Sequence, residues 1–300
     1  MSLKRNESER RQKRLGKETD NKQSYRKWID GTLEQLGRRL EQGYSDEMLR
    51  YLKAMGHFHN YSLGNLLLIG SQKPEATRVA GFRTWHKLKR RVRKGEKAIR
   101  IFAPVYRRFQ VVNEQDTEPT EADNIVEQNE RFLSRLENDR QVVSYRTVCV
   151  FDVSQTDGEE LPEPSQTTGN AADILPVLEH LIREHGVNLE YANTGKAFGL
   201  STTDTIVIRE GLDSAETFST LVHELAHVFL HHEKDTQKEN KTVKELEADA
   251  VACVVSERFG IQSLRASADY IKMWDGNTQN LLLRLDRIRD CSVRIIQRLE

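Results

Sequence analysis

Residues 213–232 read Asp-Ser-Ala-Glu-Thr-Phe-Ser-Thr-Leu-Val-His-Glu-Leu-Ala-His-Val-Phe-Leu-His-His. Asp213 and Glu216 have the spacing of a helix-capping pair, and Phe218, Leu221, Val222, Leu225, Val228 and Phe229 supply an apolar side, so the stretch predicts one well-marked helix. His223 and His227 fall four residues apart, which on a helix turns them only about 40° from one another. Both imidazoles can therefore face one ion at zinc–nitrogen distances near about 2.0 Å. Glu224 points about 100° away from His223, too far round to share that ligand position. It can reach a water beside the ion instead, take its proton and later deliver one to a leaving amine. A lone histidine is more often structural than ligating. The intervening glutamate and the apolar helix are what turn this pair into an expected catalytic zinc site, one Zn2+ per chain, suited to peptide hydrolysis with Glu224 as the catalytic carboxylate.

Such a site needs a third protein ligand. A histidine six residues after His227, preceded by a glycine, is excluded because Glu233 and Leu230 stand there. The other route is a carboxylate on a following helix, and Glu245-Leu246-Glu247-Ala248-Asp249 offers one. Glu245 and Asp249 share a face, whereas Glu247 is displaced by about 200°. Glu245 is thus the expected third ligand, with Asp249 fixing the tautomer of a ligating histidine from behind. The competing reading is specific: Thr242-Val243-Lys244-Glu245 is also a capping box, in which Glu245 only satisfies a backbone N–H. His231 and His232 are expected to be solvated. For the oxyanion-stabilising group the candidates are Tyr270 or a histidine.

The 300 residues have a formal net charge of zero, which conceals an asymmetry. Residues 1–110 hold 27 Lys/Arg against 11 Asp/Glu, so the remainder carries the opposite excess. A basic half favours a polyanionic partner. Within it, residues 73–108 contain thirteen Lys/Arg against two acids, interleaved with Phe82, Trp85, Phe102 and Tyr106. Cations neutralise phosphates while exposed rings stack on unpaired bases, a combination suited to single strands. The candidate contacts are Arg83, Trp85, Lys87, Lys89, Arg90, Arg91, Arg93, Lys94 and Lys97. The same composition also fits a solvated basic face over a core in which Trp85 and Phe102 are buried.

Along the chain, residues 1–22 are nearly all polar and predict a flexible basic tail. Apolar spacing predicts two helices between Ser24 and His57, broken near Gly43, and a third over 63–69 with Ser62 as cap. Short strands around a helical turn are expected between Arg78 and Ala103, then an acidic excursion over 111–141, then a strand over 147–151. Residues 154–172 carry Gly158, Pro162, Pro164 and Gly169 and have linker composition. Beyond lie a helix ending at Gly186, strands near 188–191 and 205–208, and three or four helices. The expected partition is a tail (1–22), a first domain (23–162), a linker (163–172) and a second domain (173–300), with α+β architecture in two domains. Cys149, Cys253 and Cys291 form no Cys-x-x-Cys pair and are expected as buried thiols. No stretch approaches the roughly 18 apolar residues of a membrane span, and Met1 to Lys17 has no apolar signal-peptide core. A cytoplasmic protein with no membrane partner is expected.

Two resemblances add to this. Tyr61-Ser62 with Asn65, then Val79-Ala80-Gly81-Phe82-Arg83-Thr84-Trp85, Val92-Arg93-Lys94-Gly95-Glu96-Lys97, Pro104 and Val150-Phe151-Asp152-Val153-Ser154-Gln155-Thr156, together resemble the N-terminal domain of ArdC-type antirestriction proteins. That domain binds single-stranded DNA in the family, so the resemblance adds Tyr61 and Asn65 to the candidate contacts. Lys89 and Ala98 stand where the family often has glycines. The C-terminal part is similar to ImmA/IrrE-type metallo-endopeptidases through its Glu245-to-Asp249 signature, implying a zincin-like fold. Jointly they imply a zinc endopeptidase, acting on an unidentified protein substrate, that protects or establishes incoming mobile DNA. The alternative is a protein that coats single-stranded DNA and whose zinc is structural or its proteolysis dispensable.

Overall fold

The computed structural model describes residues 23–108, 140–161, 171–231, 240–261, 270–273 and 276–300. The expected tail, nearly all of the acidic excursion, residues 163–170 of the linker and His232 lie outside them.

A helix over 23–41 (α1) is followed by α2 (Ser45–His57) and α3 (Leu63–Gln72). The break falls at Gly43, whose φ of +84° is the left-handed stop that only glycine adopts cheaply. Leu33, Leu36, Leu40, Met48, Leu52 and Met55 are buried, as their helical spacing requires. Ser62 occupies the N-cap position of α3 but makes no side-chain capping bond.

Next come β1 (Val79–Gly81), α4 (Phe82–Lys87), β2 (Arg90–Val92), β3 (Ile99–Arg108) and β4 (Arg140–Asp152). The order in the first sheet is β1-β4-β3. Residues 154–158, which open the stretch of linker composition, form regular structure instead. Asp152 caps a 3-10 turn over Val153–Gln155, and β5 (Thr156–Gly158) pairs antiparallel with β2. The Asp152 carboxylate accepts from the backbone N–H groups of Thr77, Arg78 and Ser154 at 2.8–3.0 Å. Burial opposes its charge, but these bonds outweigh burial and hold its pKa below the ordinary aspartate value.

The C-terminal part begins with α5 (Ala171–Glu184), which starts inside the expected linker and ends before Gly186 at φ +73°. A three-stranded sheet of order β6-β8-β7 follows, from β6 (Asn188–Ala192), β7 (Gly199–Ser201) and β8 (Thr205–Arg209). β6 is parallel and β7 antiparallel to β8, and the strand order leaves β7 at an edge among the described residues. Ile206 and Ile208 are fully buried. Then come α6 (Ser214–His231), α7 (Lys241–Arg258), a 3-10 turn over Tyr270–Met273, and α8 (Thr278–Leu299). The architecture is α+β. α7 is its central helix: Ala248, Ala250, Val251, Ala252, Val254 and Val255 are all buried, as in a helix covered on nearly every side.

Packing divides the chain into one unit from within 1–28 and 101–148 and another from within 29–100 and 149–300. The second does not follow the expected sequence partition, because α2 packs on α7. A Cβ on Gly56 would lie 2.8 Å from the Val254 carbonyl oxygen, so the two helices cross at a distance that glycine permits. Lys53 and His57 of α2 face Glu257 of α7 at 3.7 and 3.4 Å. In the first unit, Tyr25 stacks on Tyr145, and Phe102 meets Tyr25 and Trp28 edge-on. Cys253 and Cys291 are buried, with burial the main cause raising their thiols to about 11 and about 12. Cys149, expected buried, is exposed. Among the described residues no helix is long and apolar enough to cross a membrane.

Candidate metal centre

α6 starts as its sequence demands. Glu216 N–H donates to Asp213 Oδ1 at 2.8 Å, and Asp213 N–H donates back to Glu216 at 3.3 Å. Phe218, Leu221, Val222 and Leu225 are fully buried. The helix so anchored brings His223 Nε2 and His227 Nε2 to 3.1 Å from one another.

The third corner comes from α7. Glu245 Oε2 lies 3.4 Å from His223 Nε2 and 3.5 Å from His227 Nε2. Among the described residues these three side chains form the group whose donor atoms could hold one metal ion. The triangle can be tested against coordination chemistry. Donors about 2.0–2.1 Å from a tetrahedral ion stand about 3.3 Å apart, which the three measured edges straddle. The donor set, two imidazoles and a carboxylate, also fits. The imidazoles hold the Glu245 carboxyl well below the ordinary carboxylate range.

The capping alternative for Glu245 does not hold, because α7 is capped by Asn240, whose Oδ1 accepts from Thr242 N–H at 2.9 Å. Asp249, one turn beyond Glu245, places Oδ1 2.9 Å from His223 Nδ1. A proton held there leaves the Nε2 lone pair directed at the cluster. Glu247 points elsewhere, as its angular displacement predicts. It is fully buried and lies 3.1 Å from Arg284, 3.6 Å from Arg287 and 3.7 Å from His231.

The cluster opens onto a cleft of about 540 Å³ lined by residues 197–201, by His223, Glu224, His227 and His231 of α6, and by Lys241, Lys244 and Glu245 of α7. Glu224 is buried beneath β7, and a Cβ added to Gly199 would stand 2.9 Å from Glu224 Oε1 and 2.8 Å from Thr220 Cγ2. Two expectations fail here. His231 is buried, not solvated, with Nε2 3.2 Å from the Lys244 carbonyl oxygen. Tyr270 does not line the cleft; it is fully enclosed, and burial, then Cys253 and Asp249, push its phenol far up. Sequence reasoning also missed β7. Three residues, Gly199-Leu200-Ser201, are too short for alternation to register, and only the pairing with β8 reveals the strand.

The basic segment separates into two kinds of residue. Trp85 is only 2% exposed and its indole N–H donates to the Phe151 carbonyl at 2.9 Å, so it presents no ring face and cannot stack on a base. Arg90 bonds Thr156 and the carbonyls of Gly158 and Glu159, and Arg93 bonds Glu96, Asp157 and the Ser154 carbonyl. These two arginines hold β5 to β2. Tyr61 donates to the Val79 carbonyl, and it and Asn65 are half-buried. Arg83, Lys87, Lys89, Arg91, Lys94 and Lys97 are exposed, Lys89 pairing with Glu159 at 3.0 Å. Beside them Phe82, at 60% exposed, presents an open ring.

Comparison with known proteins matches two successive parts of the chain. Residues 182–259, which include the cluster, match the IrrE N-terminal-like domain of the M78 peptidase family, a metallopeptidase class. Residues 19–148 match the N-terminal domain of the anti-restriction factor ArdC. The chain thus joins an ArdC-type domain to an IrrE-like peptidase-family domain. The Mn(II)-bound crystal structure of the antirestriction ArdC protein from the R388 plasmid shares the fold, with a TM-score of 0.50 and 15% identity over 90% of this chain and 97% of that one. The uncharacterized protein pXO2-81 of Bacillus anthracis is 28% identical over 262 residues, 79% of this chain. The match spans only 44% of that relative's length.

Proposed function

We propose that the chain is a zinc-dependent endopeptidase joined to a surface for single-stranded DNA, serving antirestriction and the establishment of mobile-element DNA. One observation carries the enzymatic part: the His223, His227 and Glu245 donors, the Glu224 carboxylate and β7, an edge strand among the described residues, meet in a single cleft. His223, His227 and Glu245 would hold a zinc ion, which when bound would supply Lewis acidity to a scissile carbonyl and to a water beside it. Glu224 accepts the water's proton at its carboxylate and returns one to the leaving nitrogen. Asp249 keeps His223 in the tautomer that offers Nε2. The edge of β7 offers main-chain groups to an extended peptide, a substrate geometry that a peptidase needs.

Glu224→Gln tests this. It removes the base and leaves the three donors, so zinc content should stay at one per chain while proteolysis falls to background. Loss of zinc together with activity would show that Glu224 holds the site together instead.

For DNA, the exposed cations Arg83, Lys87, Arg91, Lys94 and Lys97 with Phe82 suit phosphate neutralisation and base stacking. Arg91→Ala with Lys94→Ala should flatten the salt dependence by about 0.7 per lost phosphate contact, equally for all sequences. The exposed ring and cations also favour a second reading, in which coating the DNA suffices. Full restriction protection by Glu224→Gln in cells supports coating; loss of protection supports proteolysis.

A further inference from the structure

The two walls of the cleft differ chemically. On one side β7 contributes an edge strand with Phe198 and Leu200, both exposed. On the other, the first turn of α7 contributes Lys241 and Lys244. Among the described residues neither ammonium has a carboxylate within ion-pair distance.

Stability does not account for these lysines. Cations in the first turn of a helix oppose its macrodipole, and that turn of α7 contains no acid to offset them. They also run against the local composition, since residues 111–300 carry 35 Asp/Glu against 19 Lys/Arg. Their common property is position. Lys244 adjoins Glu245, and Lys241 lies four residues from Glu245, about 6 Å along the axis. That is about two residues of an extended chain.

We infer that Lys241 and Lys244 select peptides bearing an Asp or Glu within about two residues of the cleaved bond, while the substrate backbone runs along β7. This rests on the peptidase reading and names its substrate class: an acidic peptide with apolar neighbours for Phe198 and Leu200. A phosphate backbone fits less well. The Glu224 and Glu245 carboxylates line the same cleft and repel it, and the strand edge offers it no use for main-chain pairing.

The test uses zinc-loaded full-length protein and a random-sequence peptide mixture, with cleavage sites read by mass spectrometry. Wild type should cut at sites enriched in Asp or Glu. Exposed ion pairs are each worth up to about fivefold, so K241A/K244A should lower kcat/KM for an acidic peptide by about tenfold and leave a neutral peptide within about twofold. K241E/K244E should move the preference to Lys and Arg. Absence of enrichment, or an unchanged preference in the reversed variant, overturns the inference and leaves the peptidase reading standing. If wild type cuts nothing, binding of a fluorescein-labelled acidic peptide to Glu224→Gln decides. Binding that depends on the two lysines supports acidic-peptide recognition and sinks the peptidase reading, whereas binding that ignores them overturns the inference. Competition by a single-stranded oligonucleotide that is itself abolished in K241A/K244A also overturns it, by making the cleft a nucleic-acid site.

Discussion

Gly199→Ala is the sharpest probe of how the cleft is built. Gly199 is not in a left-handed conformation, so the substitution imposes no backbone strain, and its effect must come from the new methyl group. That Cβ would lie 2.9 Å from Glu224 Oε1, 3.0 Å from Glu224 Cγ and 2.8 Å from Thr220 Cγ2. Ordinary carbon contacts begin near about 3.5 Å, so roughly half an ångström of relief is needed at each. Thr220 is on the same helix as Glu224 and is buried. The carboxylate, at the end of a three-torsion side chain, yields most readily. Displacing a catalytic group by about 1 Å can cost about a hundredfold in rate, so this smaller shift should lower kcat by roughly 10–100-fold. KM for a peptide should change less, because β7 keeps its pairing to β8. Zinc content should stay at one per chain, because none of the three donors is within the clash. The assay is steady-state hydrolysis of a cleavable peptide, with metal analysis and a thermal melt on the same preparation. A variant that keeps wild-type kcat would refute the placement of Glu224 as the proton-transferring group under β7. A variant that loses zinc as well would show that the strand supports the ligands.

Three further outcomes follow from the packing. Glu247→Ala leaves Arg284 and Arg287 facing an uncompensated site, so denaturant unfolding should show a loss of about 3 kcal/mol; a loss under about 1 kcal/mol would mean that the arginines relax to water. Lys89 adopts φ +54°, a conformation that costs a side-chain-bearing residue about 1 kcal/mol, and its exposed pair with Glu159 returns little. Lys89→Gly should therefore raise stability by about 0.5–1 kcal/mol, and a lower Tm would count against the strain. Asp152 has a folded pKa below its unfolded value, so its contribution is present above about pH 4 and is lost as pH falls through the folded value. Asp152→Asn should cost about 2 kcal/mol at neutral pH and flatten the acid limb of the stability curve below about pH 4, as followed by urea titrations at several pH values.

What the sequence disclosed and what it hid follow from the range of the interactions. The helix of His223, Glu224 and His227 was legible because capping, apolar face and ligand spacing all act within a few residues. That Glu245 and not Glu247 faces the histidine pair was legible one step further out, because a face-sharing Asp249 singles it out. The choice between ligand and cap required the structure, since only there does Asn240 take the capping position. Trp85 illustrates the opposite case. Composition cannot tell a ring that stacks on bases from one whose N–H is spent on the Phe151 carbonyl, and that carbonyl is 66 residues away. Arg90 and Arg93 read as phosphate contacts for the same reason, because their partners, at 154–159, lay in a stretch with linker composition. The glycine-rich signal there was real but meant tight pairing: a Cβ at Gly158 would collide with the Lys89 carbonyl.

The position of α7 explains why the expected boundary between two domains does not coincide with the packing. Its first turns carry Glu245 to the His223–His227 pair and Asp249 to the far side of His223, and Glu247 one position between them is locked to α8. Two turns later the same helix presents Val254 to Gly56 of α2, at a separation that admits no side chain. A helix buried on nearly every side over residues 248–255 needs all of these neighbours. Removing 29–100 would uncover its α2 face. The peptidase-type cluster and the α2 helix of the N-terminal part are therefore built on one rigid element. Charge separates the chain into a basic half and an acidic half, while the hydrophobic effect binds residues 29–100 to the part that carries His223, His227 and Glu245. Glu245 depends for its placement on a helix whose burial residues 29–100 complete.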